Sequence, residues 1–531
     1  MADRINIVGA GLAGLSAALT LAEKGIRCRL ISAQASERAQ SVLAEGGINA
    51  ALDTMGEGDT TALHYEETMK GGVMLADPYA VEALTENAPD VVRRLAALGV
   101  PFNRSDDGSL TLRSFGGQKK KRTAFAKSST GKMIMTALID AVRRYEAEGL
   151  VERLSHHRLI RLLINEKDGE CTGVRVRDLC GGKLYDISGA VILAVGGLNG
   201  FFPSMTTGTV TNTGTAAAVM FTQGLLFANL EMIQYHPTTI GIPGKRCLIS
   251  EAARGEGGRL YSLKDGEKRY FMEEKYPTLG NLMPRDVVSR EMFFERRSGG
   301  EIFLDMTGIP DDIWMGRLSD LQNEISHYTG YDPAQDPVPV EPGIHYFMGG
   351  IYVNRLHETN IDGLFAAGEG ACQYHGANRL GGNSMLGAVY GGSVAAQTAS
   401  EYRRRNHNGD KDVTEPDVFD CEASAVFSGS LGYILREGLG IVRSDKSIRA
   451  AIESVGALAY SNEAERAKKS LAEAMLYSAI GRMESRGAHC REDFPETFDG
   501  FRKTTVAEYN GGRVRVTFAD LPERNENADN I

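Results

Sequence analysis

The run Gly9-Ala10-Gly11-Leu12-Ala13-Gly14 constrains this chain more than any other. Ahead of it, residues 4 to 8 alternate as a short strand. Behind it an amphipathic helix continues to about residue 24, and Arg27 to Ser32 reads as a second strand. In such a turn the first glycine permits the bend, the second lets backbone N–H groups reach a pyrophosphate, and the third lets helix and strand pack closely. A tight strand-to-helix turn without a ligand is the plain alternative. The second strand ends in Ser32 and Ala33 where an acid would hold a ribose hydroxyl, a departure from the general nicotinamide pattern.

Two more apolar strands end in glycine far downstream, Ala190 to Val195 before Gly196-Gly197, and the run Gly363 to Glu369. Strands of a parallel sheet end this way where their carboxyl ends abut a ligand, so the pattern predicts a doubly wound α/β domain. Glycine supports it: 62 of 531 residues is about 12%, against roughly 7% in ordinary chains, so many backbone positions bend sharply or approach a ligand closely. Between the later strands, from 226 to 350, apolar periodicity loosens and Pro, Gly and charge rise, which predicts an inserted domain. Residues 416–490 read as helical. Thr504 to Tyr509 and Arg513 to Phe518 read as a hairpin around Asn510-Gly511-Gly512, and the last dozen residues as a polar, frayed tail. The expected division is therefore 1–225 with 351–415, then 226–350, 416–490 and 491–531.

Composition narrows the function classes. The net charge of −10 argues against nucleic acid or an anionic membrane as the main partner. Seven cysteines are scattered with no CxxC or CxxCH, so no metal or cluster motif is written in the chain. With no run of 18 apolar residues and no basic-then-apolar leader before Ile5, the expectation is a soluble cytoplasmic protein without direct membrane insertion.

Imidazole, guanidinium and carboxylate cluster with glycine or proline in Gln234-Tyr235-His236-Pro237-Thr238, Ser250-Glu251-Ala252-Ala253-Arg254-Gly255, Pro284-Arg285-Asp286, His345 to Gly350, and His375 to Ser384. Two His and three Arg suit a cage for a small dianion, since Arg offers forked donors matched to carboxylate and His adds a donor that can gain or lose charge. Spacing alone leaves open solvated Arg and structural His.

The ordered blocks GAGLAG, AEGGINAAL, RSFGGQKKKRTAFA, QYHPT, SEAARGEGG, MPRD, HYFMGG, GLFAAGEG, HGANRLGGNS and ESRGAHCREDFP closely resemble the flavoprotein subunit of fumarate reductase and succinate dehydrogenase, with L-aspartate oxidase as a sister group. The resemblance implies a doubly wound FAD-binding domain with an inserted α+β capping domain and a C-terminal helical domain. It places FAD along Gly9, Gly11, Leu12, Ala13 and Gly14, near Ser32, Gln40, Ser41, Ala44, Glu45, Gly46 and Gly47, and beside Glu369, Arg379, Asn383, Ser384 and Leu386. It assigns His236, Ser250, His345 and Arg379 to the substrate carboxylates, Arg285 to proton donation, and Glu251 and Arg254 to the relay that reprotonates it. It implies a dicarboxylate substrate, fumarate or succinate, no metal in this chain, and a separate electron-donor protein such as an iron–sulfur subunit, through which the chain would sit peripherally on the inner membrane.

Departures from the family carry information. Gln40 stands where many members have the His bonded to flavin. An amide cannot form that bond, so FAD is expected to be noncovalent. In the family the covalent link helps succinate oxidation, so its absence favours the reducing direction. Glu45 matches the fumarate reductase version of its position. Thr213 stands where relatives carry Asp near the cofactor. Phe115 stands where L-aspartate oxidases carry a Glu that can meet the substrate ammonium.

Overall fold

The computed structural model describes residues 4–403 and 411–522. Most of the polar tail, residues 523–531, lies outside the described residues. The centre is a five-stranded sheet of β1 (Ile5–Val8), β2 (Cys28–Ser32), β3 (Val151–Ser155), β4 (Val191–Leu193) and β5 (Leu364–Ala366), in the order β5-β4-β1-β2-β3 with every pair parallel. Strands β1, β2, β4 and β5 are buried along their whole length, as a sheet covered on both faces requires, which is why they read as continuous apolar runs rather than alternating ones. The chain steps from β1 to β2 on one side and returns through β4 to β5 on the other. A crevice therefore opens beyond the carboxyl ends of β1 and β4, where ligands of such sheets bind.

Helix α1 (Leu12–Glu23) follows the glycine turn. A Cβ on Gly14 would lie 1.8 Å from the Gly9 carbonyl oxygen, so only glycine lets the helix start this close to the strand. The helix Asn383–Arg403 crosses α1 equally tightly, with Gly392 against the Ala13 carbonyl.

A three-stranded antiparallel sheet, Lys245–Leu248, Ile233–Ile242 and Glu341–Phe347, carries both histidines expected at the site. Its register shifts between His236 and Thr239, where Pro237 has no N–H for the ladder. Beyond it the chain builds a separate apolar core from Ile240, Ile249, Leu260, Phe271, Leu304, Trp314 and Val338. The inserted unit expected at 226–350 is thus narrower in its packing. Phe227–Ala228 and Gly350–Tyr352 instead share a sheet with Ala371–Cys372 and the terminal hairpin.

The C-terminal region forms the helices Ala425–Gly438, Asp445–Ala457 and Glu463–Gly481. Ser444 and Ser447 make a reciprocal capping box, and Asn462 accepts from the Glu465 N–H at 2.9 Å, satisfying orphan amides at two helix starts. In the hairpin Lys503–Asn510 with Arg513–Asp520, Asn510 pairs with Arg513, so the two turn residues are Gly511 and Gly512, both at positive φ.

Candidate active site

A cleft of about 370 Å³ runs from the glycine turn, past the end of β2 and the segment 38–47, to His236, Arg285, His345 and Arg379. Its floor is built for an anion. The N-cap of α1, Gly11, contributes no side-chain hydrogen bond, and the first turn contains no acid. Ser41 Oγ accepts from the Leu12 N–H at 3.2 Å, and the other first-turn N–H groups and the positive end of the helix dipole face the crevice. Gly9 sits at φ +116°, and a Cβ there would lie 2.0 Å from the Ala194 carbonyl oxygen. A cleft of this shape, beginning at a glycine-rich helix N-terminus and ending in a set of buried guanidinium groups, fits an extended dinucleotide.

Of the residues expected around the cofactor, Gly9, Gly11, Leu12, Ala13, Ser32, Gln40, Ser41, Ala44, Glu45, Gly46, Gly47, Glu369, Arg379 and Ser384 line the cleft. Gly14 lies beneath it in the helix–strand contact. Asn383 does not line it. Its amide donates to Thr68 Oγ1 at 3.0 Å, and its oxygen accepts from Asn49 at 2.7 Å and meets His64 Nε2 at 3.0 Å. Leu386 is fully buried in the core around α1. The side chains of both therefore lie behind the cleft wall and brace it.

Two acids in the cleft are unusual. Burial, with Glu324 nearby, pushes the Glu45 carboxyl well above the ordinary value; its Oε2 has no partner while Ser250 hydrogen-bonds the group. Burial also pushes Glu369 up to about 7, although the N–H groups of Phe347 and Gly197 donate to it. Gln40 Oε1 accepts from the Thr209 N–H, which fixes the amide at the cleft wall.

At the far end, Arg285 begins the helix Arg285–Arg297 immediately after Pro284. Its Nε donates to Glu251 Oε2 at 2.8 Å, and Nη2 reaches the same oxygen at 2.8 Å. Glu251 Oε1 accepts from the Gly116 N–H at 2.7 Å. Burial opposes the charge on Glu251, yet Arg285, Arg254 and that N–H hold its carboxyl below the ordinary value. Arg254 does not reach the cleft. Its Nη2 sits 3.9 Å behind Glu251 as an ion pair, Nη1 donates to the Asn281 carbonyl, and Nε and Nη2 make no hydrogen bond.

Arg379 stacks on Tyr346 with its guanidinium carbon 4.7 Å from the ring centroid. Burial and the Arg285 charge lower it to about 9. His236 and His345 approach at 5.1 Å between ring centroids, and burial with neighbouring arginines holds both well below the ordinary imidazole value. Both are thereby held toward the neutral form, in which an imidazole is at once a donor and an acceptor. His236 Nδ1 faces both the Thr238 carbonyl at 3.2 Å and the Thr238 N–H at 3.3 Å, so the loop around Pro237 fixes the ring and turns Nε2 away from Thr238. Ser250 caps the helix Glu251–Gly255 and, like Phe115, lines the cleft.

Several site residues were not singled out from the sequence. Gln234 Oε1 accepts from Arg379 Nη2 at 3.0 Å and Arg285 Nη1 at 3.3 Å, while its Nε2 donates to Asn378 and the Arg379 carbonyl. The signal was available: Gln234 is two residues before His236 on one strand and so on the same face. Arg113 donates to the Glu45 and Gly46 carbonyls and packs over Phe125, a contact with no local signature. Thr215 and Glu422 complete the group: Thr215, together with the Thr213 already noted as a departure from the family, donates to Glu422, an acid from a distant segment that also lines the cleft.

The FAD binding domain family matches residues 5–385, and the fumarate reductase flavoprotein C-terminal family matches residues 464–526. The succinate dehydrogenase flavoprotein subunit of Bacillus subtilis is 36% identical, over 95% of this chain and 94% of its own length. The fumarate reductase flavoprotein subunit of a Serratia species is 31% identical, over 97% and 94%. Among solved structures, a variant of Escherichia coli quinol fumarate reductase FrdA superposes with a TM-score of 0.87 at 29% identity, covering 98% of this chain and 97% of that one. The cleft's fit to a dinucleotide and these likenesses converge: the chain is an FAD-dependent oxidoreductase and belongs to the fumarate reductase and succinate dehydrogenase flavoprotein subunit family.

Proposed function

We propose that this chain reduces fumarate to succinate. The carrying observation is that Arg285 and Arg379, both buried, share the oxygen of Gln234, while Glu251 is the one carboxylate bonded to either among the described residues. That excess of forked positive charge in a closed pocket suits a dicarboxylate. FAD, when bound and reduced by the separate donor, would supply the hydride.

His345, tied to Thr207 Oγ1 at 2.8 Å, and Arg379 are placed to hold one substrate carboxylate. His236 and Ser250, which also line the pocket, would hold the other and draw electron density from the double bond. Arg285 gives a guanidinium proton to the carbon that does not take the hydride. Because guanidinium is a very weak acid, the proton must be replaced at once, and the Glu251 carboxylate, in contact with Nε and Nη2, relays one to it after first taking up a proton itself. Arg254, 3.9 Å behind Glu251, continues that relay away from the substrate and passes on the proton that Glu251 takes up. The inserted unit between the strands Ile233–Ile242 and Glu341–Phe347 caps the dicarboxylate and keeps water from the transferred hydride.

Gln40 and Glu45 favour the reducing direction. The reducing electrons come from a separate donor, an iron–sulfur protein in our reading, by analogy with relatives named as quinol fumarate reductases. No helix among the described residues is long and apolar enough to cross a membrane. The test is anaerobic reoxidation of the photoreduced flavoprotein: fumarate should restore the oxidised flavin spectrum, and failure to do so while another unsaturated acid succeeds would overturn the assignment.

A further inference from the structure

The cleft has a second end that the dicarboxylate chemistry does not use. There the carboxyl end of β2 supplies Ser32 and Ala33, the strand His157–Ile164 passes alongside, and the stretch Asp417–Glu422 closes over the opening. In a glycine-turn dinucleotide domain the end of the second strand is where an acid receives the adenosine ribose hydroxyls, and this chain has none there.

Four arginines on two adjacent strands, His157–Ile164 and Cys171–Asp178, hold the covering stretch. Arg175 meets Asp417 at 2.6 Å, Arg158 meets Asp420 at 3.2 Å, Arg177 pairs with Asp420, and the Arg161 guanidinium lies over the Phe419 ring at 5.6 Å. The side chains of Asp417 and Asp420 are only 3% and 7% exposed, so both are consumed as fasteners. Glu422 differs. Its side chain is 33% exposed and lines the cleft, Oε1 meets Arg158 at 3.0 Å, and Oε2 accepts from Thr215 at 2.9 Å and Thr213 at 3.2 Å. Three donors orient a carboxylate that has about four acceptor sites, leaving one free.

We propose that Glu422 is the carboxylate that receives the ribose hydroxyls of the FAD adenosine, in place of the acid missing from the end of β2. The strap Asp417–Glu422 holds it there, so the C-terminal part of the chain selects FAD over flavins that lack adenosine.

The test is binding of flavins to the apoprotein, read by quenching of flavin fluorescence without any dicarboxylate, so that its outcome is separate from the fumarate assignment. Glu422→Gln should weaken FAD by roughly 10- to 100-fold, the range for a hydrogen bond to a charged group, and leave FMN unchanged. With FAD whose adenosine ribose lacks both hydroxyls, the wild type should lose the same factor and the variant should lose nothing further. Glu422→Asp, which retracts the charge, should give a smaller loss with the same dependence on the hydroxyls. Thermal unfolding of each apoprotein confirms its fold. Wild-type FAD affinity in Glu422→Gln, or equal further loss for both proteins with the hydroxyl-free analogue, overturns the proposal.

Discussion

Gln234 Oε1 accepts from Arg379 Nη2 at 3.0 Å and from Arg285 Nη1 at 3.3 Å, so one amide oxygen holds two guanidinium groups side by side. The Arg285 charge is among the causes that lower Arg379, and without a shared acceptor the two would move apart. Gln234→Leu should lower kcat/KM for fumarate by about 10- to 100-fold, the cost of unmet hydrogen bonds to charged groups. Steady-state kinetics should show both a raised KM and a lowered kcat, because the residue serves the binder and the proton donor together.

Arg285→Lys should nearly abolish fumarate reduction while FAD still binds. Lysine keeps the charge but cannot hold Glu251 through two nitrogens, and loss of a positioned acid costs on the order of 10²- to 10⁴-fold. Turnover near the wild-type rate would remove Arg285 from the mechanism.

The flavin should come free on acid precipitation. Gln40 presents an amide, engaged by the Thr209 N–H, where a covalent link would need imidazole. Yellow colour retained in the washed pellet would contradict this.

Phe115 is 5% exposed and packs against Gly46, and the next residue, Gly116, donates its N–H to Glu251. No charge at position 115 is available for an ammonium, so L-aspartate should bind far more weakly than succinate in a flavin-absorbance titration. Phe115→Glu sets a second acid beside Glu251 and should weaken fumarate further.

Glu369 gives the apoprotein a pH signature. Its carboxyl lies near 7 in the folded chain against an ordinary value of 4.5, so between those values the folded state binds more protons than the unfolded one. Stability from this group is present at low pH and lost as pH rises through that window. Urea midpoints at pH 5 and pH 8 should differ less in Glu369→Gln than in the wild type.

The parts legible in the sequence were those with a local cause. The glycine turn and the buried strands follow from the spacing of neighbours along one element. Contacts that depend on the whole fold left no such trace. Glu422 meets Thr215 across 207 residues, and its strap is held by arginines that read as ordinary solvated charge. Asn383 fits a cofactor contact by resemblance, yet its amide is spent on His64, Asn49 and Thr68, a competition visible only once those side chains are packed together.

The sheet that contains Phe227–Ala228 has a consequence for synthesis. Its neighbour on one side is the strand Lys503–Asn510, with Phe227 opposite Ala507. The ribosome makes that partner about 280 residues later, which at 5–20 residues per second takes roughly 14 to 56 s. Through that interval the nascent chain carries an unpaired strand edge, a template for wrong pairing. Ribosome-bound chains stopped before residue 503 should therefore recruit chaperones and resist release as monomers, and a stop codon in the hairpin should act as a folding defect rather than a trimmed tail.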